Sequence, residues 1–397
     1  MPTITAHVHD RMQSIDAAAW NRLWHAAPHA TPFMRHEYLL ALEESGSVGP
    51  DTGWQPCHVT LQRDGALVAA CPLYLKTHSY GEYVFDFAWA RAYAEHGLAY
   101  YPKAVVAVPF TPVPGSRLLA EDDELRGQLL RAALQFCESQ GISSLHLLFG
   151  SAADLQTAEA AGLMQRQTVQ FHWSNRHVHG AAAPYRDFDD FLAELQQDKR
   201  KKIRQERRKV AEAGVRFRHA RGQDISAADW QFFYQCYERT YLEHGNPPYL
   251  TPAFFEAMAA HMAGNWLLFV AERDGRPIAS SLTALDEDSA APAAATAATA
   301  YGRYWGALER VDCLHFEACY YQPLEWCIAQ GFGRFEGGAQ GEHKMARALL
   351  PTVTPSAHWL AHPGFAEAVE RFLDREGDGM QHYLQTLQQA TPFKHGA

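Results

Sequence analysis

The stretch Leu267–Leu285 reads LLFVAERDGRPIASSLTAL, two apolar runs joined at Asp274-Gly275. Both turn residues tolerate positive φ, which a two-residue turn between twisted strands requires, so the stretch predicts an antiparallel hairpin with arms at Leu267–Glu272 and Pro277–Leu285. The same signal stands 210 residues earlier, at Asp64-Gly65 between His58–Gln62 and Ala66–Leu75. Further out, Ala17-Ala18-Ala19-Trp20 recurs as Ala227-Ala228-Asp229-Trp230, again displaced by 210, and Thr31-Pro32 recurs as Thr251-Pro252, displaced by 220. The anchors keep their order in both halves, which reads as a tandem duplication.

Each half then follows one plan. An extended segment (Ile4–Val8; Val215–His219) precedes a helix, with Ser14 and Ser226 as the expected caps. A second helix follows the Thr-Pro pair, and the hairpin comes next. A long helix (Glu121–Ser139; Leu314–Ala329) and a short strand (Ser143–Phe149; Gly333–Gly337) complete the unit. The order β-α-α-β-β-(β)-α-β-α-β predicts an α/β chain with mixed sheets. The expected domains are 1–180 and 213–397, with a basic linker helix at 181–212.

Length and composition agree. At roughly 150 residues per domain, 397 residues suit two domains. With 47% hydrophobic and 20% charged residues the chain can bury large cores, which excludes a disordered or fibrous protein. No run approaches the roughly 18 apolar residues of a membrane span, and the first 20 residues hold no apolar stretch, so a cytoplasmic protein is expected. Seven cysteines without a CxxC pair read as reduced thiols. The net charge of −10 argues against a surface built throughout for polyanions. One segment departs from it: Lys199–Lys209 (KRKKIRQERRK) carries eight basic residues and one acid, a local +7 that leaves −17 elsewhere.

Two helices, a central hairpin and a βαβ unit, in that order, resemble the acyl-CoA N-acyltransferase (GNAT) fold. Two such units with a basic helix between them resemble the FemAB-like peptidoglycan-bridge aminoacyltransferases. The segments Tyr301-Gly302-Arg303-Tyr304-Trp305-Gly306, His315-Phe316-Glu317 with Cys319-Tyr320-Tyr321-Gln322, and Gly338-Ala339-Gln340-Gly341-Glu342-His343-Lys344 are similar to an uncharacterised branch of that family. The resemblance implies an N-acyltransferase that moves an acyl or aminoacyl group onto an amine. It implies acyl-CoA or aminoacyl-tRNA as donor co-substrate, no permanently bound cofactor and no metal, and a small molecule or cell-envelope precursor as the amine. GNAT enzymes hold the coenzyme pyrophosphate with a Gln/Arg-x-x-Gly-x-Gly/Ala loop at a helix N-terminus. Arg303–Leu308 follows that pattern until Leu308, and this departure leaves room for a tRNA donor.

N-acyl transfer needs a base for the amine, a held donor carbonyl and a group facing the oxyanion, but no covalent nucleophile. The densest chemical signal is Phe335–Arg347, where a strand is expected to end in a glycine-rich turn and a helix to begin near Glu342. There Glu342 and His343 are the candidate bases and Lys344 the candidate oxyanion or phosphate ligand. Glu336, Gln340 and Arg347 are candidate substrate contacts. On the second-half helix, His315, Glu317 and Tyr320 are further candidates, and Tyr301 and Arg303, two apart on a strand, are expected to share one face. His172, His177 and His179 show no acidic or cysteine neighbour in sequence and read as loop and strand histidines rather than ligands. On the basic helix, Arg204, Arg207 and Arg208 are the residues that would meet tRNA; otherwise the helix is a solvated spacer. The rival reading is a catalytically silent binding module for an anionic metabolite or a nucleic acid. The first half lacks a Gly-Gln-Gly-Glu-His-Lys counterpart and is expected to be structural or to support the acceptor.

Overall fold

The computed structural model describes residues 3–179, 183–286, 298–339 and 341–394. The chain divides into two compact units, residues 1–168 with 353–383, and residues 169–352 with 384–397. This differs from a linear division near 180 and 212. Residues 353–383, most of the last strand and helix, join the first unit, and the basic segment belongs to the second.

The first unit contains β1 (Ile4–His9), α1 (Ala17–Ala26), α2 (His36–Glu44), β2 (Trp54–Pro56), β3 (His58–Arg63), β4 (Ala66–Cys71), β5 (Leu73–Lys76), α3 (Phe87–Glu95), β6 (Lys103–Val106), β7 (Leu119–Ala120), α4 (Asp123–Ser139), β8 (Ser144–Leu148) and α5 (Ala152–Ala160). One sheet runs β1-β3-β4-β7. Asp64 and Gly65 turn the β3–β4 hairpin at φ 51° and 83°. The helix α4 turns Leu125, Leu129, Leu130, Ala133 and Cys137 inward at helical spacing, onto Val59, Val68, Leu145 and Leu147. Ser14 is not the cap of α1: it ends a short 3₁₀ turn, and the Asp16 carboxylate accepts from the Ala19 amide at 2.7 Å. Pro32 likewise opens a 3₁₀ turn before α2 instead of the helix itself.

β9 (Met164–Ser174) leads into the second unit, which contains α6 (Phe188–Glu194), α7 (Gln197–Glu212), β10 (Val215–Arg221), α8 (Ala227–Glu243), α9 (Pro252–His261), β11 (Trp266–Arg273), β12 (Arg276–Asp286) and β13 (Thr299–Ala307). Next come α10 (Leu314–Phe316), a π-helical turn (Glu317–Tyr321), α11 (Gln322–Gln330) and β14 (Arg334–Ala339). β15 (Leu350–Leu360) and α12 (Pro363–Gln389) complete the chain. The strand order is β10-β11-β12-β13-β14-β9. The expected hairpin is β11–β12, turned at Asp274 and Gly275 with φ 53° and 71°. Here the Ser226 cap is as read, forming a capping box with Asp229, and the helix expected after Thr251-Pro252 is capped by the Thr251 hydroxyl, which accepts from Phe254 N at 3.4 Å.

The basic segment is not one long spacer helix. It breaks at Leu195–Gln196, and α7 buries Ile203, Glu206 and Val210, with Val210 packing beside Val215, Ala271 and Ile278 in the core of the second unit. The segment Arg303–Gly306 is likewise no phosphate loop but part of β13. Gly306 is there for packing: a Cβ on it would sit 1.8 Å from the Cys236 carbonyl oxygen of α8, and Thr240 donates to the Trp305 carbonyl at 2.9 Å. The helix expected over Leu314–Ala329 is interrupted by the π-turn, and the one expected near Glu342 is a 3₁₀ turn, Glu342–Arg347. Most of the uncharged, low-complexity stretch Ser289–Ala300, expected from its composition to extend a strand connection, lies outside the described residues, as does Gln340.

Candidate functional site

β13 and β14 run parallel and pair at Thr299–Arg334, Ala300–Phe335 and Tyr301–Glu336, where their described pairing ends. Past that point β13 continues along β12 to Ala307, while β14 is held on its other side by β9. Parting strands leave space at their carboxyl ends, the place where α/β sheets take ligands. A cavity of about 290 Å³ opens here. Its walls are Ser281 and Thr283 of β12, Arg303 and Trp305 of β13, Gly337 of β14, His315, Cys319 and Tyr320 from the helical segment, and His343 and Lys344 from the 3₁₀ turn.

Two backbone devices shape these walls. Gly341 adopts φ 106°, and a Cβ on it would lie 2.5 Å from His343 Cε1, so glycine alone lets the imidazole fold back over the turn. The π-turn widens one helical turn and separates side chains that ordinary helical spacing would keep on one face. Tyr320 therefore faces the cavity, with its hydroxyl 3.4 Å from His343 Nε2. Glu317 turns away, accepting from Arg207 Nε at 3.1 Å and from Gln322 at 2.7 Å.

The electrostatics are one-sided. Lys344 is buried, donating to the Gly337 and Gly338 carbonyls at 2.7 and 3.1 Å, and burial lowers its pKa to about 8. Burial brings His315 down to about 4, helped by His343 when it is protonated and by the Arg347 and Lys344 charges. The same causes, burial first and then Arg347 and Lys344, hold His343 below its ordinary value. Both imidazoles are thus neutral near pH 7, and His343 can accept a proton. Burial raises the Cys319 thiol well above the ordinary range, so it is no thiolate nucleophile.

Other expected site residues lie elsewhere. A β-bulge between the Leu282–Tyr304 and Thr283–Gly302 pairs breaks the alternation of β13. Consequently Tyr301 and Arg303 do not share the cavity: Arg303 lines it, whereas Tyr301 is buried beside Glu336 and Asp286. Glu336 is buried outside the lining, its Oε1 3.4 Å from Arg334 Nε and 3.7 Å from His172 Nδ1, and burial raises its pKa to about 7. Glu342 is exposed and absent from the lining. Arg347 is 2% exposed and lies behind the cavity, its Nη2 2.9 Å from both Glu206 oxygens and its Nη1 2.7 Å from the His343 carbonyl oxygen. On α7, Arg204 pairs with Asp189 at 3.0 Å, and Arg207 with Glu317 and Glu325, while Arg208 is exposed. His177, read as having no acidic neighbour, in fact meets Glu194 at 2.8 Å and Asp190 at 3.2 Å, and these carboxylates occupy both ring nitrogens. Among the described residues no group of three His, Cys, Asp or Glu side chains could hold a metal ion.

Sequence reasoning missed Ser281 and Thr283, whose only signal was hydroxyls within an apolar strand, and Trp305 on the neighbouring strand, and it missed Glu206, the one acid in the basic run. A larger groove of about 740 Å³ lies between α8 and α9, but Trp230, Tyr234, Phe255 and Glu256 line it without a histidine or a basic side chain. The smaller cavity, with its two histidines and buried lysine, is therefore the candidate site.

A family model described as peptidoglycan biosynthesis/recognition, FemAB-like, matches residues 11–395. No curated protein sequence matches the chain. Among solved structures, the crystal structure of FemX superposes with a TM-score of 0.52 at 10% identity, covering 90% of this chain and 98% of that one, a likeness of fold. L-PGS from Bacillus licheniformis gives 0.47 at 10% identity over 84% and 95% of the two chains. A tandem GNAT protein from the clavulanic acid biosynthesis pathway gives 0.45 at 11% identity over 91% and 99%. Among the described residues no helix is long and apolar enough to cross a membrane.

Proposed function

The chain belongs to the FemAB-like family, and from that membership and the cavity's chemistry we propose that its second unit is an N-acyltransferase. It would move an acyl or aminoacyl group from an acyl-CoA or an aminoacyl-tRNA onto the amine of a small molecule or cell-envelope precursor, without a permanently bound cofactor. The observation that carries the reading is the convergence of a neutral histidine, His343, and a buried cation, Lys344, on the gap between the parting strands β13 and β14.

In this scheme His343 takes a proton from the acceptor ammonium, and the freed amine attacks the donor carbonyl carbon. As the C–N bond forms, negative charge grows on the carbonyl oxygen, and the Lys344 ammonium stabilises it. Collapse breaks the bond to sulfur or to the ribose oxygen, the proton shed by the attacking nitrogen passes to the leaving group, which departs as a thiol or a hydroxyl, and His343 returns its own proton to solvent. Tyr320, beside His343, and Arg303, on β13, would orient the two substrates. Glu342 takes no part in the scheme, because it is exposed outside the lining.

Ligands that bind only the folded state raise its melting temperature, so thermal shifts with acetyl-CoA, longer acyl-CoAs, free CoA and total aminoacyl-tRNA identify the donor class. His343→Gln is then expected to abolish transfer while the donor still stabilises the protein. Equal loss of transfer and donor binding would favour the silent binding module. No stabilisation by any of these species would overturn the acyltransferase reading.

A further inference from the structure

The basic run of helix α7 carries its one acidic residue, Glu206, on the helix's buried face, and next to it Arg207, half-buried. These neighbours reach the two segments that wall the cavity. The Glu206 carboxylate meets Arg347 Nη2 at 2.9 Å through both oxygens and also accepts from the Tyr321 hydroxyl. Arg347 lies flat on Phe316, 3.5 Å from the ring centroid, and its Nη1 donates to the carbonyl of His343 at 2.7 Å. That chain of contacts leads from α7 to the turn bearing His343 and Lys344. Arg207 leads to the other wall: it pairs with Glu317, the first residue of the π-turn, whose later residues Cys319 and Tyr320 line the cavity.

We propose that α7 is the positioning element of the candidate site, with Glu206 and Arg207 each setting one wall. The assignment rests on the site's geometry and requires neither donor to be correct. It also gives the opposite signs of the two neighbours a reason. Each wall presents one buried charge, Arg347 or Glu317, which would be costly without its partner. A solvated spacer or a nucleic-acid contact does not require a buried glutamate.

His343 reports on this arrangement. The charged and titratable groups facing it are Arg347 and Lys344 on its own turn, and His315 and Tyr320 on the helical segment, with Cys319 beyond them and Glu206 behind Arg347. Arg347 depresses His343, and Glu206 offsets Arg347. Imidazole titration of the full-length protein by NMR, with His343 assigned from the spectrum of His343→Gln, therefore separates positioning from simple loosening. Arg347→Leu is expected to move the His343 midpoint up, towards 6.5. Glu206→Gln is expected to move it down, because the guanidinium charge is then less compensated. Mere loosening of the turn would send both midpoints up, and that result, or no movement in either variant, overturns the proposal. If Glu206→Gln does not fold, the exchange of Glu206→Arg with Arg347→Glu carries the test, since it keeps a pair and brings the carboxylate to the His343 side. Its expected midpoint lies above that of the parent protein, and an unchanged midpoint overturns the proposal.

Discussion

His343 and Lys344 are neighbours in sequence with opposite tasks, and burial tunes both. Burial and the Arg347 and Lys344 charges keep His343 neutral to a lower pH than a free imidazole, and burial lets Lys344 lose its proton at about 8. If His343 is the base and the Lys344 ammonium the oxyanion ligand, the rate profile is a bell, with its acid limb below pH 6.5 and its alkaline limb near pH 8. Lys344→Arg should remove the alkaline limb, because a guanidinium stays charged, and a profile still falling near pH 8 would assign that limb to another group. Glu336 gives a second, independent pH signature. Its folded-state pKa of about 7 lies above the ordinary carboxyl value, so its contribution to stability is full below pH 4.5 and is lost as pH rises through 7. Glu336→Gln should match the parent near pH 4.5 and exceed it by roughly 3 kcal/mol above pH 8 in denaturant titrations. Equal stability across that range would mean that Arg334 and His172 already compensate the carboxylate.

At the scale of elements, close approach and charge pairing decide the outcome. Gly306 lets α8 lie against β13, and an added methyl would collide with the backbone carbonyl of Cys236 instead of a side chain that could swing away. Gly306→Ala should therefore cost on the order of 1–3 kcal/mol or more, read as a lowered melting temperature. On α7, Lys201, Lys202 and Arg208 are exposed and form no ion pair among the described residues, whereas Arg207 is paired with Glu317 and Glu325, outside the cavity lining. A fair test of tRNA contact therefore reverses Lys201, Lys202 and Arg208 and leaves Arg207 intact. If tRNA is the donor, binding weakens and its salt dependence becomes shallower. Unchanged binding removes α7 from the interface.

At the scale of the whole molecule, the first unit shows no counterpart of the His343–Lys344 turn among its described residues but buries an ionisable cluster of its own. Lys103 meets Glu82 at 2.7 Å and also Asp86, whose other contacts include the Tyr100 hydroxyl at 2.6 Å. Tyr100 lies 3.1 Å from His146, and His146 Nδ1 lies 2.7 Å from His358 Nδ1, across the β8–β15 pair. Lys103→Met would strand two buried carboxylates and should cost about 3–5 kcal/mol. Burial depresses both histidines, His146 to about 3 and His358 well below its ordinary value. Their contribution to stability is therefore full above pH 6.5 and is lost as pH falls, so β15 is expected to loosen from β8 in acid. Hydrogen exchange on residues 356–360 should accelerate between pH 6 and pH 4 beyond the intrinsic dependence. Rates that follow the intrinsic dependence alone would rule out the histidine pair as the cause.

Local chemistry made much of this protein readable from its sequence. The Asp-Gly turns, the Ser226 cap and the glycine-rich turn before His343 are short-range signals, and the folded chain keeps each of them. The displaced cap at Ser14 shows the limit even there, since Asp16 two residues later offered the better acceptor. What the tertiary structure alone decided was direction and partnership. A one-residue bulge took Tyr301 out of the cavity and left Arg303 in it, and a π-turn sent Glu317 to α7 and Tyr320 to the site. The division of the chain into units, and the pairing of Glu206 with Arg347 across 141 residues, likewise depend on contacts between distant segments. A sequence period assumes an unbroken repeat and says nothing about what lies opposite. One extra backbone residue reverses a side chain, and whether a buried charge is tolerable depends on a partner that only folding brings near.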